Sequence, residues 1–255
     1  RILYFVNLRA AMSTLTPLAD PKQASFYEVV STRRSVRRFT KTPISDEVLN
    51  ACLDMAMLAP SSSNLQPWQF FVIESEEKRQ KTVTYCMSQN AAKTANKLIV
   101  VVARTDTWRQ HAKDNIKYFP VKPVPKPVQD YYGKLIPLTM TRGVMNVFTP
   151  AKWALTQATR KVRGAMVDPI YDADDLKNWA LISTSLAAEN LMLALRAHGF
   201  DSCPMGGFDE PQLKKLLDLN EEQHICMVIA AGERDERGIY SEQYRFERER
   251  FIVKV

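Results

Sequence analysis

Apolar residues recur along this chain with two periods, and the breaks between them are polar or rich in proline. Residues 25–34 read as a short helix whose apolar side is Phe26, Val29 and Val30. A second helix follows Pro43: Ser45 is placed to cap it, Asp46 and Glu47 suit its first turn, and Pro60 marks its end. Val48, Leu49, Cys52, Leu53, Met55 and Ala56 give that helix a broad buried face. Residues 67–74 (PWQFFVIE) read as a strand rich in aromatic and branched side chains. Residues 98–103 (LIVVVA) read as a strand covered on both faces, because the apolar run is unbroken. The longest helical segment is 172–198. Leu176, Ala180, Ile182, Leu186, Ala187, Leu191, Leu193, Ala194 and Leu195 nearly encircle it, which predicts burial in a core or a subunit interface, and Gly199 caps it. A short helix at 210–217, a buried strand at 224–232 and an alternating final strand at 249–255 follow. Strands separated by helices point to a three-layer α/β or α+β sandwich.

The periodicity fades over 105–168. Within it 119–128 (FPVKPVPKPV) is too proline-rich for a helix interior, and Trp108, Tyr118, Tyr131 and Tyr132 flank it. The stretch is expected to be an insertion into a single domain, 25–255, either a lid over a site or an arm without contact to substrate. Residues 1–24 are expected to be an N-terminal extension, in part appended to the natural chain, since Met12 is the more natural start.

Composition adds limits. With 255 residues, 45% hydrophobic and 25% charged, the chain can bury a substantial core and is not expected to be disordered. The net charge of +7 admits anionic partners, but Lys and Arg are interleaved with acids, and no nucleic-acid module is recognisable, so neither nucleic acid nor membrane is expected as a partner. Cys52, Cys86, Cys203 and Cys226 form no C-x-x-C pair and His111, His198 and His224 are scattered, so no metal is expected. Free buried thiols and the lack of a spanning apolar run predict a cytoplasmic protein. His198, before Gly199 at a helix end, stands where a cation suits the helix dipole.

Three segments could carry chemistry. RRSVRRF, from Arg33 to Phe39, offers guanidinium forks, a hydroxyl and backbone N–H groups, a set that suits a phosphate; a solvated basic helix end explains the same residues. APSSSNLQPWQF, from Ala59 to Phe70, supplies uncharged donors and acceptors, which a heteroaromatic ring with carbonyl and imide groups would use; so would an ordinary loop satisfied by its own turns. SCPMGGF, from Ser202 to Phe208, has Gly206 and Gly207, which let a ligand approach the backbone, or simply form a turn.

Taken together and in this order, the arginine–serine motif, the S-S-N-x-Q-P-W loop, the helix ending H-G-F, the P-x-G-G turn, the A-x-G strand end and a late arginine resemble the FMN-dependent nitroreductase family over about residues 26–255, with 105–168 poorly matched. The resemblance implies an α+β, three-layer α/β/α sandwich with a mixed, mainly antiparallel sheet and an extended C-terminal strand. It also implies a homodimer, with chain ends embracing the partner and FMN at the interface. Arg33 and Ser35 would bind the phosphate, Arg34 would act mostly through its backbone, and Arg37 would face the flavin N1 and O2 edge. Pro60, Ser61, Ser62, Asn64 and Gln66 would border the ring, with Asn64 binding it. Pro204, Met205, Gly206 and Gly207 would line the region near N5, and Arg245 or Arg248 would complete the phosphate site. No side chain is singled out as catalytic, because the reactive centre is flavin N5. The implied activity is ping-pong hydride transfer from NADH or NADPH to nitroaromatic, quinone or related small electrophilic acceptors. Flavin, enone or dehalogenating reductases of the same fold remain alternatives, as does a basic nucleic-acid-binding or regulatory protein. Glycine at 206, where many relatives carry an acid, leaves the substrate preference and any proton relay open.

Overall fold

The structure is a computed structural model, and it describes residues 26–142 and 147–255. The expected N-terminal extension, and the start of the first helix at Ser25, lie outside the described residues. Helix α1 (Phe26–Thr32) buries only Val29; Phe26 and Val30, expected on its inner side, are exposed. Helix α2 (Asp46–Met57) starts as its sequence predicts, with the Ser45 hydroxyl accepting from the Val48 N–H at 3.3 Å, and it buries Leu49, Ala51, Cys52 and Ala56. Strand β1 (Trp68–Val72), α3 (Glu76–Tyr85), α4 (Asn90–Thr94) and β2 (Lys97–Arg104) follow.

The stretch that looked irregular is mostly helical. It holds α5 (Trp108–Lys117), α6 (Lys126–Asp130), a π-helical turn (Tyr131–Leu135), α7 (Ile136–Met140) and α8 (Thr149–Arg163). The prolines that hide this pattern sit where helices tolerate them: Pro127, Pro137 and Pro150 all occupy first turns. These helices pack as a satellite core of Trp108, Ala112, Ile136 and Met140 against Leu65 and Leu176. The Lys152 ammonium ties α8 to them by donating to the carbonyls of Thr139 (2.9 Å) and Ile170 (3.0 Å).

Helix α9 (Ala173–Ala197) is capped by the Asp172 carboxylate, which accepts from the Asp175 N–H, and is closed by Gly199 at φ +83. It is buried along one side only. Ile182, at 67% exposure, and Leu186 project from the other, so the expected all-round burial is not met within one chain. Strands β3 (Asp201–Met205) and β4 (Gln223–Gly232) flank α10 (Glu210–Leu216). Of the segment 202–208, read as glycine backbone open to a ligand or as a turn, Ser202 to Met205 belong to the strand and Gly206 and Gly207 follow it. Pro204 is tolerated there because β3 lies at the sheet edge, with β4 as its strand neighbour.

The sheet order is β1-β2-β4-β3 and every ladder is antiparallel; the parallel pairing observed is the Ser35–Ser202 bridge. Alternate residues of the central strands feed two cores. Leu98, Val100, Val102, Val228 and Ala230 pack with α4, Leu213 of α10 and the segment around Val36 and Phe39. Ile99, Val101, Ile229 and Ala231 pack on α2 and α9 through Cys52, Ala56, Leu191 and Leu195. Helices therefore cover both faces, giving the α+β three-layer arrangement. The expected C-terminal strand does not form within the chain. Residues 249–255 are exposed, and a strand exists only by pairing, for which they have no partner among the described residues.

Candidate functional site

The arginine–serine segment leaves the end of α1 and runs beside β3. The Val36 N–H donates to the Ser202 carbonyl at 3.1 Å, and the Arg37 N–H donates to Gly238 at 2.8 Å. A Cβ on Gly238 would lie 2.6 Å from the Arg38 carbonyl, so only glycine allows this approach. Of the side chains, Arg33 makes a loose ion pair with Glu189 (3.6 Å) and no other side-chain contact among the described residues. The Ser35 hydroxyl has no hydrogen bond among the described residues. Arg34 donates to the Ser241 carbonyl at 2.7 Å, Arg37 lies over the Tyr240 ring at 5.3 Å, and Arg38 pairs with Asp235 at 3.3 Å. Arg37 and Arg38, one residue apart, thus face different partners. Asp235 is held down to about 2, chiefly by hydrogen bonding to Arg237.

The bridge from Ser35 to Ser202 brings the arginine cluster next to the strand that carries Pro204 and Met205 and leads to Gly206 and Gly207. Gly206 has nothing within 4 Å of where a Cβ would stand, so open space borders the backbone there. Gly207 accepts a hydrogen bond from Gln89 at 2.9 Å. Burial raises the Cys203 thiol while the nearby Arg37 charge opposes the shift.

The serine-rich loop is a separate construction. Ser63, Asn64 and Gln66 all have positive φ (56, 51 and 43), a costly state for non-glycine residues that persists only when neighbours impose it. The neighbours are on α5 and the π turn. Asn64 and Asn115 exchange hydrogen bonds at 2.9 and 3.0 Å, His111 Nδ1 meets the Leu65 carbonyl at 2.7 Å, and the Ser63 hydroxyl meets that of Tyr131 at 2.7 Å. The Ser61 hydroxyl accepts from the Gln66 N–H at 3.1 Å, Leu65 is buried, and Pro60 and Ser62 are exposed beside them. The loop edges a cavity of about 1060 Å³ whose walls include Leu53, Met57, Asn64, Gln66, Trp68, Phe70, Tyr118 and Phe119.

The two constructions do not meet within one chain. Pro67 is level with Arg104 on the β1 edge, whereas Ser202 is level, through Ala231, with Lys97. That separates Pro67 from Ser202 by about seven residues along the strands and three strand spacings across, or roughly 23 Å by 14 Å, and the Ser35 segment lies one spacing beyond Ser202. The tail arginines are apart again. Arg245 donates to its neighbour Tyr244, Arg248 lies in a 3₁₀ turn (Arg248–Arg250), and both are exposed.

Sequence reasoning missed Glu189, Tyr240, Asn115 and Gly238, whose partners are distant along the chain, although a glycine six residues past a strand end was a usable signal for the last. His198 also departs from expectation: burial lowers its pKa, which disfavours the cation at the helix end. All four cysteines are free, and burial pushes Cys52 up to about 12 and Cys86 to about 11. Among the described residues there is no His, Cys, Asp or Glu group that could hold a metal, and no helix is long and apolar enough to cross a membrane.

Comparison with known proteins adds the family. The chain is 28% identical over 216 residues to the 4-nitrobenzoate reductase of Pseudomonas putida, covering 83% of this chain and 86% of that one. It is 26% identical over 237 residues to an NADH dehydrogenase of Thermus thermophilus, covering 93% and 98%. Its fold superposes with a TM-score of 0.66 on a protein of Exiguobacterium sibiricum described as a nitroreductase in complex with FMN, at 26% identity and over 91% of this chain and 98% of the other. Residues 30–233 match the model of the nitroreductase family, and the chain belongs to that family.

Proposed function

We propose that this protein is an FMN-dependent oxidoreductase that takes reducing equivalents from NADH or NADPH and delivers them to small electrophilic acceptors such as nitroaromatics or quinones, working as a homodimer. The observation that carries the reading is a set of donors little used among the described residues beside an open backbone: Arg33 and the Ser35 hydroxyl lie next to the strand that leads to Gly206. Those groups suit a phosphate at one end and a planar ring passing the glycine at the other. FMN, when bound, supplies the centre that accepts and donates a hydride.

The chain's residues then have distinct tasks. Arg33 and Ser35 hold the phosphate, with Arg34 fixed through Ser241 as part of the same wall. Arg37 turns its charge toward the ring's N1 and O2 edge, where negative charge develops on reduction. Pro204, Met205, Gly206 and Gly207 border the ring. Asn64 and Gln66, with Pro60, Ser61 and Ser62 around them, stand too far from these groups to serve the same ring in the same chain. They serve the ring held by a second copy, so a dimer completes the site. The exposed tail residues Tyr244, Phe246, Phe251 and Ile252, and the exposed Ile182 and Leu186 of α9, supply apolar surface for that dimer. Arg245 or Arg248 reaches the phosphate from the tail.

Steady-state kinetics test the reading. Initial rates with varied NADH or NADPH against 4-nitrobenzoate or a benzoquinone should give parallel double-reciprocal lines, since donor and acceptor occupy the same space in turn. Intersecting lines, or no turnover with any donor–acceptor pair, would reject it.

A further inference from the structure

Asp201 is the first residue of β3, and its side chain is 1% exposed. A buried carboxylate needs several good donors, and this one has three, all from arginine. Arg234 Nη2 donates to Oδ1 at 2.8 Å, Arg234 Nε to Oδ2 at 3.0 Å, and Arg196 Nη1 to Oδ2 at 3.2 Å. The two guanidinium groups do not stop there. Arg196 Nε donates to the Thr32 hydroxyl at 3.0 Å, and Arg234 Nη2 reaches the Thr32 carbonyl at 3.3 Å. Thr32 ends α1 and immediately precedes Arg33.

The next residue of β3 holds the other end of the same segment. Ser202 pairs with Ser35 and accepts the Val36 N–H. Arg33, Arg34 and Ser35 are therefore strung between two anchors, Thr32 and Val36, that both rest on the first two residues of β3. One anchor is backbone to backbone and tolerates most side chains. The other runs through a single carboxylate. Two guanidinium groups on one carboxylate also leave a surplus positive charge beside Arg33.

We propose that Asp201 is a positioning residue for the phosphate-binding segment, acting through Arg196 and Arg234 on Thr32 to fix the direction in which Arg33 and Ser35 present their donors. The proposal rests on the FMN reading above. Its distinguishing consequence is selectivity for the phosphate: loss of the anchor disturbs the phosphate contacts and leaves those to the ring in place.

The test titrates apoprotein with FMN and with riboflavin, which lacks the phosphate, following flavin fluorescence. For Asp201→Asn the FMN Kd should rise about tenfold or more, and the riboflavin Kd should change by less than about twofold. Thr32→Val, which leaves the buried carboxylate intact, should shift the FMN Kd in the same direction by about threefold, again with little change for riboflavin. Thr32→Val decides the matter alone if far-UV circular dichroism shows that Asp201→Asn does not fold. Parallel losses for both ligands, or no loss for either, overturn the positioning role. A wild-type protein that binds neither flavin overturns the FMN reading and this inference with it.

Discussion

Arg33 and Arg38 belong to one basic run, yet the structure gives them different surroundings. Among the described residues the Arg33 side chain is held by a 3.6 Å contact to Glu189, whereas Arg38 sits at 3.3 Å from Asp235, the carboxylate that also organises Arg237. Arg33→Ala should therefore weaken FMN by about 1.5–3 kcal/mol, the worth of a charge-assisted hydrogen bond, and Arg38→Ala should weaken it far less. Equal FMN dissociation constants for the two variants would reject the assignment. A second residue-scale expectation concerns His198 and His224. Burial lowers both pKa values, and Lys214 and Lys177 lower that of His224 further, against Glu210 and Glu221. The unfolded chain then binds protons that the folded one refuses, so stability falls as pH drops below about 6.5 and through the depressed folded values. Replacing both histidines with Gln should flatten the slope of unfolding free energy between about pH 6.5 and 5 in urea titrations; an unchanged slope would assign the pH dependence elsewhere. At this scale the sequence was legible where chemistry is local. Ser45 caps α2 and Gly199 closes α9 as the pattern implied. Asp201 was not legible, because Arg196, Arg234 and Thr32 give it meaning only once α9, β4 and α1 converge.

The elements with strong periodicity, α2, β2, α9 and β4, were read within a residue or two, since packing agrees with pattern along their whole length. Strand β3 was missed because Asp, Ser and Pro lack strand character, and it forms by lying on the edge of β4. The insertion was read as irregular because its prolines mask helix starts. The proline-rich 119–125, between α5 and α6, is without helix, and Tyr118, Phe119 and Pro120 line the large cavity beside the serine-rich loop. That narrows the choice between lid and arm. Replacing 121–125 with a brief Gly-Ser linker should alter the KM or kcat for the acceptor while FMN stays bound. An unchanged acceptor profile in a protein that keeps its flavin would leave the segment as an arm.

For the whole molecule, the separation of the arginine cluster from the Asn64 loop is the feature that a linear reading could state only through family resemblance. The proposed dimer would resolve it, and the exposed apolar tail and the Ile182 and Leu186 side of α9 are surfaces such a pairing would use. Sedimentation at micromolar concentration should show a dimer and no monomer, and removal of 242–255 should release monomers that lose their flavin. A stable, flavin-loaded monomer would contradict the shared site. The central claim, that the cluster around Arg33 and Ser35 holds the phosphate of FMN, is tested most directly by releasing the chromophore with heat and identifying it by chromatography. The account predicts a yellow protein that yields FMN, one per chain; FAD in its place, or a colourless protein that takes up no flavin when incubated with FMN, would contradict it.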